Sequence, residues 1–301
     1  MSLRLSLLNL GARVIGKTRL RYVQRPGNQR KDFEIVGTLF GGRGRGLIQR
    51  DEPGAPPRRI VEPQAGARGV VLYFHGGGFI AGSPQSHIAL IRALCRRSGC
   101  RVVAPDYALG PEARLPAAQD DARRAWDQLI AEGIAPSQIV LAGDSAGGGM
   151  ALSLMAELGA EGQRPAACVA LCPWTDLTGS GASMVENARR DCLLPAERLP
   201  ELIGFAAGDA DLTDPRLSPL FASFQDPAPT LIQFALTEIL RDDALRMADV
   251  LRAAGGRVEL QSWPHAPHTW QVFGEAVPEA RDAITKAATF IRAALDLPRA
   301  D

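Results

Sequence analysis

An α/β fold built on a mostly parallel sheet is predicted by three observations on this 301-residue chain. From residue 70 onward, short apolar runs alternate with longer amphipathic segments, the order of parallel strands joined by helical crossovers. The runs are continuously apolar, as strands buried on both faces must be. Pro84, Pro116 and Pro278 stand at or just before three helical segments, where a missing amide hydrogen is tolerated.

Taken in order, strands are expected at residues 70–74 (VVLYF), 102–106 (VVAPD), 139–143 (IVLAG), 167–172 (ACVALC), 230–237 (TLIQFALT) and 258–263 (VELQSW). Helices are expected at 85–98, 117–131, 146–158, 241–254 and 278–295, covering both faces of the sheet. Residues 1–45 and 178–218 fall outside the alternation. A structureless excursion as long as the second is uncommon in a compact domain, so both regions are read as segments of a helical cap. The domain reading is an N-terminal cap segment at 1–45, a core at 46–177, a second cap segment at 178–218 and the rest of the core at 219–301. Gln49 to Gly69, rich in Pro, Gly and Arg, reads as loop with one edge strand. No internal repeat is found.

Composition sets bounds. Hydrophobic residues make up 46% and charged residues 22%, which is ordinary for a globular chain. A net charge of +1 gives no overall field toward nucleic acid or an anionic membrane. No stretch reaches the roughly 20 apolar residues needed to span a bilayer. The first fourteen residues, MSLRLSLLNLGARV, resemble a weak signal peptide, but Asn9, Gly11 and Arg13 interrupt the apolar run, so a mature cytoplasmic N-terminus is expected. The five cysteines, Cys95, Cys100, Cys168, Cys172 and Cys192, lack zinc-type spacing. Cys168 and Cys172 on one strand would be about 13 Å apart, out of disulfide reach. Buried thiols in a reducing compartment are expected.

The chemistry-bearing signal is Gly143-Asp144-Ser145-Ala146-Gly147, which follows the apolar run IVLA and precedes the helical MALSLMAEL. At a strand-to-helix turn, glycines two before and two after a serine remove side chains that would collide, and Oγ is presented above the sheet edge. Upstream, His75-Gly76-Gly77-Gly78-Phe79 follows a strand directly. Consecutive glycines permit a turn whose amides point forward onto a developing oxyanion. Gly77, Gly78 and Ala146 are the expected donors, with Gly76 less suited. A phosphate loop would need a Gly-Lys-Ser/Thr ending that is absent here.

A nucleophilic serine needs a histidine base and an acid that fixes its tautomer. His75 belongs to the glycine loop and His87 to the helix after it, which leaves His265 and His268 beyond the strand ending at Trp263. Glu238 is the first acidic residue after the strand TLIQFALT. Asp242 and Asp243 follow at the start of a helix, where carboxylates commonly cap or oppose the dipole. Leu5, Leu8, Phe205 and Phe221 are candidates for an apolar acyl pocket or for ordinary core.

Together HGGGF, Asp106-Tyr107-Ala108-Leu109-Gly110-Pro111-Glu112 and GDSAGG, in this order from His75 to Gly148, resemble the bacterial hormone-sensitive-lipase-like esterases of the α/β-hydrolase superfamily. The middle motif departs from the usual DYRLAPE at Ala108 and Gly110; read on its own it is a strand end and a turn. The resemblance extends to the C-terminus and implies an α/β-hydrolase fold with Ser145, Glu238 and His268 as triad. His268 matches the Pro-x-x-x-His pattern from Pro264. Glu238 stands where the group usually carries Asp-Pro-Leu-x-Asp-Glu. The resemblance further implies a serine carboxylesterase acting on short to medium acyl esters, with no metal or organic cofactor, and a possible homodimer through an edge strand. Amidases, arylformamidases and acyl transferases share such a triad. The group is also similar to plant hormone receptors that lack the catalytic histidine, which this chain retains.

Overall fold

The apolar runs become the middle of one eight-stranded sheet in a computed structural model that describes residues 1–22 and 25–296. Its strands are β1 (Leu47–Glu52), β2 (Arg58–Pro63), β3 (Val70–Phe74), β4 (Arg101–Pro105), β5 (Ile139–Asp144), β6 (Ala167–Leu171), β7 (Thr230–Ala235) and β8 (Val258–Trp263). The spatial order is β1-β2-β4-β3-β5-β6-β7-β8. Every neighbouring pair from β4 to β8 is parallel, and β2 joins β1 and β4 antiparallel.

The helices are α1 (Leu3–Gly11), α2 (Lys17–Tyr22), α3 (Pro26–Phe40), α4 (Ile88–Ser98), α5 (Ala117–Ala131), α6 (Ala146–Ala160), α7 (Ser183–Glu186), α8 (Leu199–Ala207), α9 (Arg241–Ala253) and α10 (Pro278–Ala294). A wide π-type stretch, Ala12–Gly16, joins α1 to α2. The pleat sorts the core into two layers, because successive strand residues face opposite sides. Leu72, Phe74, Val103 and Leu141 pack with Trp126 of α5, Leu152 of α6 and Met247 of α9. Val71, Tyr73, Val102 and Val140 pack with Ile88 and Leu94 of α4 and Ile291 of α10. A third, smaller cluster joins Leu5 of α1 to Cys172, Trp263 and Trp270.

Three expectations need correction. Residues 49–69 hold most of two strands rather than loop with one edge strand. Arginine and glutamate, poor indicators of strand, are here paired across the ladder, Arg50 with Glu62 at 2.5 Å and Arg58 with Glu52 at 2.7 Å. Charge of this kind suits a sheet edge, where it opposes pairing with other chains. The helix expected from residue 85 begins at Ile88, because Oγ of Ser83 first accepts the amides of Gln85 and Ser86. The strand expected to reach 237 stops at Ala235, whose amide is taken by the Glu238 side chain at 2.8 Å. The cysteines are all buried and free. Among the described residues no helix is long and apolar enough to cross a membrane.

Leu141 is fully buried in the central strand, whereas Ile48 on β1 is 44% exposed. Leu141→Ala is therefore expected to lower stability by about 2–5 kcal/mol, and Ile48→Ala by less than about 0.5 kcal/mol. Urea midpoints at constant slope check both; equal losses would contradict this assignment of core and edge.

Candidate active site

β5 ends in a turn that no ordinary residue adopts. Ser145 has φ 53° and ψ −122°, a strained combination for a side-chained residue. The strain is held from both sides: the Ser145 amide donates to Leu171 O at 2.9 Å, and its carbonyl accepts the amides of Gly149 and Trp174. The flanking glycines are obligatory by contact. A Cβ at Gly143 would lie 2.2 Å from Gly147 O, and one at Gly147 would lie 2.1 Å from Phe74 O.

The loops after β7 and β8 meet at this turn, since parallel strands send their C-terminal ends to one edge. Ser145 Oγ lies 2.8 Å from His268 Nε2, and His268 Nδ1 lies 2.5 Å from Glu238 Oε2. Beside a carboxylate, Nδ1 carries the proton and Nε2 is free to accept from the serine. Glu238 and His268 are 1% and 4% exposed. Burial works against charge on the imidazole, but the Glu238 bond outweighs it and holds His268 above the ordinary histidine value. His265 is exposed, and its backbone carbonyl accepts from Asn9 Nδ2 at 2.6 Å.

The rival acids are occupied elsewhere. Asp242 accepts the Ser183 amide and pairs with Arg241. Asp243 is buried and accepts the amides of Thr175 and Asp176 at 2.8 and 2.9 Å. The turn carrying Glu238 is itself clamped by residues the sequence reading did not single out. Asn187 Nδ2 donates to the carbonyls of Leu236 and Glu238, and Asp191 Oδ2 accepts the Ile239 amide at 2.9 Å. Both lie just after α7, within the segment that interrupts the sheet, far in sequence from β7.

Ahead of the serine, Gly77 and Gly78 have φ +123° and +61°, and a Cβ on Gly77 would strike Ala81 O at 2.1 Å. Among the described residues the amides of Gly77, Gly78 and Ala146 donate to no protein acceptor. The Gly76 amide, by contrast, is bonded to Asp144 Oδ1 at 3.0 Å. Asp144, the variable letter of the elbow motif, is buried at 1% exposure. It also accepts from Tyr73 Oη and lies 3.4 Å from His87 Nε2. Burial raises its pKa, but His87 and Tyr73 prevail and hold the carboxyl below the usual range. Tyr107 of the middle motif stacks on His75 and donates to its carbonyl at 2.7 Å. His75, pushed down to about 3 by burial and by His87, is a neutral packing group.

A mostly apolar cleft opens beside the glycine loop, lined by Leu20, Ile80, Leu194, Leu199, Leu202 and Phe205. Leu202 sits against Gly78. Of the four apolar candidates, Phe205 lines this cleft, Leu5 is core with Leu8 packed against it, and Phe221 is 41% exposed. The grouping with metal-ligand chemistry is Cys172, Glu238 and His268, within 4.8 Å of one another. Its carboxylate and imidazole are already engaged with each other, and burial pushes the thiol well up.

The family model described as alpha/beta hydrolase fold matches residues 71–272. The chain belongs to the α/β-hydrolase family. This hydrolase is 37% identical over 225 residues to an acetyl-hydrolase of Streptomyces hygroscopicus, covering 74% of the chain and 75% of the relative. An ethyl acetate hydrolase of Pseudomonas putida is 32% identical over 299 residues, 93% of each. The solved structure of an esterase from the bacterial hormone-sensitive lipase family superposes with a TM-score of 0.91 at 31% identity, covering 98% of this chain and 99% of that one. The motifs and the sheet thus place this hydrolase in the bacterial hormone-sensitive-lipase-like group.

Burial, with Asp176 nearby, pushes the Asp243 carboxyl up to about 7 against its two amide donors. A group whose pKa is raised on folding favours the fold while protonated. That contribution is complete below the ordinary carboxyl value and is lost as pH rises through about 7. Asp243→Asn lacks this titration, so melting temperatures of wild type are expected to fall relative to the variant between pH 4 and pH 7, roughly the two ends of the shift. A wild type that gains on the variant as pH rises would contradict the assignment.

Proposed function

We propose that this hydrolase is a serine carboxylesterase for short to medium acyl chains, with Ser145 as nucleophile, His268 as base and Glu238 as acid. The observation that carries the reading is the unbroken contact from Ser145 Oγ through His268 to Glu238, at 2.8 and 2.5 Å. His268 Nε2 takes the Ser145 proton as Oγ attacks the ester carbonyl, and the amides of Gly77, Gly78 and Ala146 receive the oxyanion. Collapse expels the alcohol, which takes the proton back from His268. A water, deprotonated by the same nitrogen, then releases the acid and restores the serine.

The helices of residues 1–45 and 178–218 are proposed as the cap, supported by the cleft that α2, α3 and α8 form against Ile80. The names of the two relatives, an acetyl-hydrolase and an ethyl acetate hydrolase, favour small acyl groups. An amidase, arylformamidase or acyl transferase would use the same residues, and the cap decides among them. The free amides beside a bonded serine favour catalysis over a binding module. Five unpaired buried thiols support a cytoplasmic setting, and β8 as an open edge of the sheet suits a homodimer.

Ser145→Ala is expected to abolish hydrolysis of nitrophenyl esters, with a loss of at least about 10⁴-fold in kcat, and wild-type rates should peak at short chains. Undiminished turnover by the variant would sink the mechanism; an inactive wild type would favour a binding role. The acid limb of kcat/KM reports the base of the free enzyme. Its midpoint should therefore lie above the ordinary histidine value, given the Glu238 bond. Glu238→Gln should move that midpoint down, since burial is then opposed only by the more distant Asp191 and Asp144, and reduce kcat by about 10⁴-fold. An unmoved midpoint would assign the acid to another residue.

A further inference from the structure

The near-zero net charge of the whole chain conceals a separation. Residues 1–45 carry ten arginines and lysines against two carboxylates, Asp32 and Glu34, so the remaining residues hold 24 cations and 31 anions. The same segment bears an apolar face that the fold does not cover. Leu3, Leu7, Leu10 and Val14 recur at helical spacing and are 76%, 60%, 59% and 59% exposed, and Ile15 beside them is 67% exposed. The stripe runs for about 16 Å at 1.5 Å per residue. The opposite face of the helix is already used, by Leu5 in the cluster with Trp263 and Trp270. A surface helix needs one apolar face to pack; this one has two.

Cations flank the outer stripe. Arg13 donates to the backbone carbonyls of Arg189 and Arg190, which places these two exposed residues beside the helix, and Arg4 lies along the same helix with its guanidinium on Ala276 O. Arg19 and Arg21 are neutralised by Asp32 and Glu197. Among the described residues Arg4, Arg13, Arg189 and Arg190 have no carboxylate partner. Aliphatic side chains in a row beside unpaired cations are the composition of a helix that lies in a lipid–water interface. Arginine near an anionic leaflet adds attraction that a neutral bilayer lacks.

We infer that the outer face of α1 and of the turn after it, with Arg189 and Arg190, docks this hydrolase on anionic lipid bilayers. The orientation has a consequence for the site. α1 is tied to the loop carrying His268 by Asn9 on the His265 carbonyl, and to the start of α10 by Ser2 on Glu279. A bilayer on the outer face would thus be separated from the segments that frame the catalytic edge by one helix. The inference stands on the surface and not on the catalytic assignment, so Ser145→Ala should bind as wild type does.

Co-sedimentation with vesicles of phosphatidylcholine alone, or mixed with phosphatidylserine, tests it. Binding to the mixed vesicles is expected to be at least about tenfold stronger and to weaken as salt is raised. Leu7→Glu with Leu10→Glu should abolish binding to both, and Arg189→Glu with Arg190→Glu should remove the preference for the anionic lipid. Turnover of a water-soluble ester should be unchanged in both double variants, which shows that they fold. Equal partition into the two vesicle types would overturn the proposal. So would a dimer in solution that the leucine variant dissociates, because a second copy would then cover the stripe.

Discussion

The hydrogen bond between His268 and Glu238 is the constraint on which the rest of the site depends. Its partners sit on loops after different strands, 30 residues apart, and meet at 2.5 Å with almost no exposure. A buried carboxylate without such a partner would sit unpaired in low dielectric, which proteins rarely tolerate. Each end is therefore over-determined. Oε1 of Glu238 takes the Ala235 amide, and the carbonyls and amide around the turn are held by Asn187 and Asp191. Ser145 completes the line only because its unfavourable dihedrals are enforced by β6 and by the turn at Trp174. The strain at the serine and the burial of the acid are two sides of one arrangement, in which packing fixes groups that would relax apart in water.

A second buried carboxylate performs the matching task for the glycine loop after β3. Asp144 binds the amide of Gly76 and the hydroxyl of Tyr73, with His87 against its other oxygen. Engaging the first glycine amide of the loop sets the direction of the next two, which remain free. The Gly76 amide is thereby engaged, although it is the same group that its two neighbours leave free. Donors fixed before reaction avoid reorganisation when charge develops, the main source of such stabilisation. Asp144 does not touch Ser145 Oγ by any contact seen here. Its influence passes through the backbone.

Much of this was legible in the sequence, and the reasons divide by residue type. Buried strands announce themselves because both faces must be apolar, so five of the six expected runs fall within one residue of observed strands at either end. The sixth overran because a continuous apolar run does not mark where the Glu238 side chain takes over a strand amide. β1 and β2 were obscured because an antiparallel pair at the end of a sheet can carry Arg50, Arg58, Glu52 and Glu62 as long as they pair across the ladder, and pairing is not visible along the chain. The serine, histidine and glycine segments could be singled out because their motifs are local. Asn187 and Asp191 were not, because they act on a turn about 50 residues away, across an irregular segment. Asp144 stood in plain view as the variable letter of a motif, and its role needed the neighbouring strand to be in register.

The N-terminal segment shows how far one charge can tie distant parts together. Lys17 is 8% exposed, and its ammonium is bound by the carbonyls of Ala188 and Asp191 at 2.9 and 2.7 Å. Burial lowers its pKa, with Asp191 and Glu197 acting against that, so a charge is retained inside only because oxygen atoms surround it. Asp191 in turn holds the amide beside Glu238. The first helices, the irregular segment after β6 and the acid turn after β7 therefore form one continuous polar chain. Leu5 adds an apolar contact from the same helices to the histidine loop. Hydrogen bonds and apolar packing thus tie these helices to the loops that carry Glu238 and His268.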